Sequence, residues 1–224
     1  MAATVTEIMK FDGKVIGFSH ARTWAAMPAA LQGVLSPESI LEQLRGAHPR
    51  VAKSIAALCE LGVQRPVRTH DLRNYPNAGL RPVADLRIGP NVTIMAKASC
   101  WHVANGEAVI PILQPRLSEL SLDKLAIYAS LATRAFCRGD WASAKVEIVD
   151  LSGPSGSQHA MARIVPQTDL PAIEDERLVA FMRTFVEAQE IVAKLREARP
   201  PESPRKPRSD LEQDLFSDDG SPEN

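Results

Sequence analysis

The chain has 224 residues, 45% apolar and 24% charged, with a formal net charge of −1. That is enough apolar material for a globular core, and it gives no overall field to draw the chain onto nucleic acid or an anionic membrane. No apolar run reaches the roughly 18 residues of a spanning helix, and residues 1–10 carry Glu7 and no apolar stretch of the kind a secretory signal needs.

Residues 11–18 (FDGKVIGF) fit a short strand pair around Gly13, and the Ala-rich stretch 23–35 fits a short helix ahead of Gly33. Ser36-Pro37 is a helix start, a serine cap followed by proline at the first helical position. A second helix is expected from Pro49, with Val51, Ile55, Leu58 and Leu61 at helical spacing and Gly62 as its stop. Residues 65–80, rich in Arg, Pro, Asn and Gly, read as an extended loop. Residues 80–88 and 91–104 read as two strands, and Asn105-Gly106 predicts a type I′ turn into a return strand over 107–113, which Pro115 ends. A helix over 121–137 has apolar residues on more than one face, so it is expected to be covered on most sides. Strands follow at 144–151 and 159–165, joined by SGPSGSQ, a small polar loop that lacks a Walker lysine. A long amphipathic helix over 174–199 opens on Glu174, Asp175 and Glu176, which suit a positive helix terminus. This order predicts an α+β fold in which a central mixed sheet of about five strands is flanked by helices.

Charge divides the chain. Residues 200–224 hold three basic and seven acidic residues, net −4, and the other 23 basic and 20 acidic residues leave positions 1–199 at +3. With five prolines and few apolar residues, 200–224 cannot offset its ordering entropy and is expected to be a disordered acidic tail behind one α+β domain, 1–199. Within the tail, Gln213, Leu215 and Phe216 form a candidate docking motif, two apolar anchors in an acidic surround. The motif resembles the short bacterial sliding-clamp-binding motif, with either Glu212 standing where Gln is usual or Gln213 there with one residue too few before Leu215.

Arg65, Arg68, Arg73 and Arg81, with Tyr75 among them, make the densest basic stretch of the domain and the best candidate for a phosphate-facing surface; solvated arginines paired with acidic neighbours are the plainer reading. Lys97 and Trp101 share a face if 91–104 is one strand, where they could stack on and neutralise a single nucleic-acid strand or simply mark the margin of the core. Cys100 and His102 also share a face, but tetrahedral zinc needs a second close pair, and Cys59, Cys137 and His159 are isolated, so a buried cysteine and a satisfied histidine are expected. No cofactor, metal or catalytic residue is assigned. Three widely separated cysteines fit a reducing cytoplasm rather than a disulfide framework.

A helix, a three-strand meander, a crossing helix and a further strand resemble the order of the PD-(D/E)xK nuclease-like core, over residues 80–151. The resemblance implies two carboxylates holding Mg²⁺ and a lysine that positions or deprotonates water, carried by an acid on the second strand and Glu-x-Lys on the third. Gln114-Pro115-Arg116 stands where Glu-x-Lys would fall, and residues 92–103 contain no Asp or Glu. An amide brings no charge and an arginine cannot act as a base, so a degenerate nuclease core is expected. The leading functional reading is a non-catalytic module of a bacterial cytoplasm that binds nucleic acid or a protein. Arg68, Arg73, Arg81, Lys97 and Arg116 would contact nucleic acid, and the tail would recruit a partner. The alternatives are a metal-dependent nuclease with ligands elsewhere, for example Asp85, Glu107 and Asp150, and a pure interaction factor of a mobile element or defence system.

Overall fold

A computed structural model describes residues 20–34, 36–43, 48–72, 79–90, 92–115, 119–152 and 161–198. The expected strand pair at 11–18 and the tail lie outside these residues, as do Arg73, Arg116, Gln213, Leu215 and Phe216. Three helices come first: α1 (Ala21–Leu31), α2 (Pro37–Gln43) and α3 (Pro49–Gln64). They are followed by β1 (Thr69–Asp71), β2 (Val83–Arg87), β3 (Thr93–Lys97), β4 (Cys100–Ala104) and β5 (Glu107–Gln114). The helix α4 (Leu122–Phe136), the strands β6 (Lys145–Asp150) and β7 (Arg163–Pro166) and the helix α5 (Asp175–Glu197) complete the order. No helix among the described residues is long and apolar enough to cross a membrane.

The fold is α+β, as expected. Five strands form one mixed sheet in the order β1-β4-β5-β6-β7. β5 and β6 are parallel and every other pair is antiparallel. β5 is buried from Val109 to Gln114 and β6 from Val146 to Asp150, the continuous burial of strands covered on both faces. On one face Met27, Leu31, Ile55 and Leu58 of α1 and α3 pack with Leu113 and Val149. On the other, Leu125, Ala129 and Phe136 of α4 pack with Ile110, Ile112 and Ile148. β2 and β3 form a separate two-stranded hairpin, and its half-buried Ala84 and Ala96 close over the α4 cluster, so α4 is covered on both sides.

Three expectations are corrected. Residues 91–104 are two strands in two sheets, because the backbone changes partners at Ala98-Ser99: the Ala98 N–H donates to the Pro82 carbonyl of the hairpin, and the Ser99 carbonyl accepts from Leu72 N–H beside β1. Lys97 and Trp101 therefore do not share a face. The loop assigned to 65–80 contains β1, a three-residue strand defined by pairing with β4. Gly62 does not stop α3, which runs to Gln64. A Cβ at Gly62 would lie 1.9 Å from the Ala30 carbonyl oxygen, so the missing side chain lets α3 close onto α1. The hairpin turn is as read: Asn105 and Gly106 have φ of 54° and 80°.

Candidate functional site

Gln114 and Asp150 are register partners at the carboxyl ends of the parallel strands β5 and β6, the edge at which open sheets of this kind bind ligands. Asp150 is fully buried. Its Oδ1 accepts from Gln114 Nε2 at 2.9 Å and from the Ser152 N–H at 3.0 Å. Its Oδ2 accepts from Ser152 Oγ at 2.9 Å and from Arg163 Nε and Nη2 at 3.0 and 2.8 Å. A carboxylate has about four lone-pair positions, so this one is saturated and its charge is balanced. Arg163 opens β7 opposite Asp150 and is about half exposed (48%). One bond ties the ends of the two strands together and a second ties β5 to α4. Leu151 N–H donates to the Gln114 carbonyl at 3.1 Å, and Tyr128 Oη donates to the Leu113 carbonyl at 3.0 Å. Burial pushes the Tyr128 phenol up to about 12, which keeps it a donor.

β1 is antiparallel to β4 and β4 to β5, so β1, β5 and β6 all point the same way. Their carboxyl ends share one rim of the sheet, and the segments carrying Arg73 and Arg116 leave from that rim. The hairpin brings two more predicted cations to the same side. Lys97 is exposed and pairs with Val83, two residues after the exposed Arg81, and the bonds at Ala98 and Ser99 fix that end of the hairpin beside Leu72, just past β1. Arg68, also exposed, precedes Thr69 and so lies at the opposite end of β1, apart from the others. Arg163 was not among the sequence candidates. Its role depends on facing Asp150 across a strand pair, which no local pattern marks.

The alternative ligand set is not gathered. Asp85 is exposed on the hairpin, and Glu107 starts β5, beside Lys145 at 3.6 Å. Seven residues, roughly 23 Å of strand, separate Glu107 from Gln114, the register partner of Asp150. Among the described residues no group of three His, Cys, Asp or Glu side chains is placed to hold a metal ion. Cys100 and His102 are both buried; the Nε2 of His102 meets Glu147 Oε1 at 2.9 Å, and its Nδ1 has no hydrogen-bond partner among the described residues. Trp101 lies on the other face, stacked on His70 at 4.2 Å and edge-on to Trp141 at 5.2 Å. No protein-family model, no curated protein and no solved structure matches the chain.

Proposed function

We propose that the protein is a non-catalytic nucleic-acid-binding module whose contact surface is the rim where β1, β5 and β6 end. The observation that carries this reading is the saturation of Asp150. The carboxylate beside Gln114 is committed to five hydrogen bonds, and among the described residues that touch it Arg163 is half exposed. Arg81 and Lys97 add charge at the hairpin end of that rim, and the segments bearing Arg73 and Arg116 begin at it. A degenerate PD-(D/E)xK-like core is part of the proposal. The order expected over residues 80–151 is altered in the structure, because β2 and β3 pair apart from the main sheet; the proposed core is therefore β1, β4 and β5 as the three adjacent strands, followed by α4 and β6, with Gln114 ending β5. A cytoplasmic setting is supported by three free thiols, and Gln213, Leu215 and Phe216 are proposed to dock a second protein.

Fluorescence anisotropy with labelled single- and double-stranded DNA and RNA tests the module. If three phosphates are neutralised, affinity falls by about 40-fold between 50 and 200 mM salt. Arg81→Ala with Lys97→Ala weakens binding across sequences and flattens that salt slope. Absence of binding to every form at 50 mM salt refutes the nucleic-acid reading.

A further inference from the structure

A groove of about 590 Å³ runs between the β2–β3 hairpin and α5. Pro90, Val92 and Ile94 form one wall, and Phe185, Val186 and Ala193 form the other. The walls meet closely at one place: a Cβ on Gly89 would lie 3.1 Å from Val186 Cγ2. Above that contact the groove stays open, and its volume is that of a site able to take a few apolar side chains. Two cations flank it. Arg87 is exposed at the hairpin lip, where its guanidinium donates to the carbonyls of Gly89 and Pro90 at 3.3 and 2.8 Å. Lys194 is exposed next to Ala193. Neither makes an ion pair among the described residues.

α5 ends at Glu197, one turn beyond the Ala193 end of the groove, and the chain continues past it. The apolar residues of 199–224 other than proline are Leu211, Leu215 and Phe216. Asp210, Glu212, Asp214, Asp218 and Asp219 surround them, and no basic residue lies beyond Arg208. We infer that residues 211–216 of this same chain dock in the groove, with Leu215 and Phe216 between the two walls and the flanking carboxylates facing Arg87 and Lys194.

The reach is sufficient. Val186 lies about 17 Å back along α5 from Glu197, at 1.5 Å per residue. The linker 198–214 carries four prolines, and a proline-rich spacer of that length extends to roughly 50 Å at about 3.1 Å per residue. A tether that covers the distance raises the local concentration of the motif toward the millimolar range, so a motif with a dissociation constant well below that is mostly bound. Arg87 and Lys194, which make no ion pair among the described residues, attract the acidic segment, while Glu190 in the lining opposes it; both effects weaken with salt. The docking needs neither nucleic acid nor a second protein. Its consequence is regulatory: a protein that recognises Leu215 and Phe216 must first compete with the groove.

The test uses the full chain, ¹⁵N-labelled, compared with Leu215→Ser/Phe216→Ser, a variant altered only beyond the described residues. The expected result is a set of amide shift changes confined to residues 90–94 and 185–193, with hydrogen exchange at least threefold faster there and unchanged in α1 and α3. In the reciprocal experiment, Val186→Asp moves the Leu215 and Phe216 amides to their positions in a synthetic peptide of residues 205–224. Glu190→Lys, which removes a carboxylate lining the groove, moves them further from those positions. Two results overturn the inference. One is an unchanged groove in the double variant. The other is a set of groove shifts that vanish on dilution as sedimentation shows a dimer separating, which would make a second copy the occupant.

Discussion

Asp150 shows how much one side chain can hold in place. Two strands, a turn and an arginine meet on its two oxygens. Removing one member of such a buried pair leaves the others unpaired and costs several kcal/mol. Asp150→Ala is therefore expected to lower unfolding stability by about 3 kcal/mol, the low end of that range because half-exposed Arg163 can turn to solvent; urea denaturation measures this. Lys97→Ala, at an exposed position, changes stability by less than about 0.5 kcal/mol. The thiols differ in the same way. Burial raises the pKa of Cys59, with Glu38 and Glu60 adding to the effect, and burial raises that of Cys137 against a lowering by Lys145. Cys59 and Cys100 are fully buried and Cys137 is only partly so, so an aromatic disulfide reagent at pH 8 titrates one thiol in the native protein and three in denaturant. Gln114 was legible as an unusual strand end because an amide, a proline and an arginine follow a run of apolar residues. Its partner was not, because Asp150 lies 36 residues away, across a helical crossover that fixes register only in three dimensions.

Elements were most legible where a local backbone requirement marks them. Asn105-Gly106 needs positive φ at both positions, and both have it. Ser36 caps its helix as read, with its Oγ accepting from the Ser39 N–H at 3.2 Å. Reading failed where the deciding contact is distant. Thr69–Asp71 is too short to show alternation and is a strand only through β4. Ala98-Ser99 carries no turn signal, so the switch between two sheets was hidden inside an apparently continuous strand. Gly62 has the composition of a stop, but its role is to admit the Ala30 carbonyl. Gly62→Ala is accordingly expected to push α3 from α1 and to destabilise by about 2 kcal/mol, as over-packing does, whereas a true C-terminal glycine would act only through its φ. A drop of several degrees in the melting temperature, with the binding proposed for the rim unchanged, is the expected pattern.

At the scale of the molecule, the helical layers respond differently to pH and salt. Burial holds the His20 imidazole, at the start of α1, below its ordinary value of 6.5. The unfolded chain therefore takes up a proton before the folded one does, and stability is lost as pH falls through 6.5 toward the folded value. Thermal melts between pH 7.5 and 5.5 are expected to show this decline, and His20→Gln to flatten it. α5 is joined to α4 by two exposed ion pairs at its first turn, Arg134 with Asp175 and Arg177 with Asp123. Such pairs are worth little and are screened by salt. A further consequence concerns how such a molecule can change. β1, β5 and β6 all discharge their chains at one rim, where the last ladder pairs, Asp71 with Cys100 and Gln114 with Asp150, fix the strand ends. Connections beyond Leu72, Pro115 and Ser152 can be lengthened, shortened or exchanged with no strand losing register. The rim can thus vary in its outer segments while the scaffold stays intact, provided Ser152 and Arg163 keep their hold on Asp150.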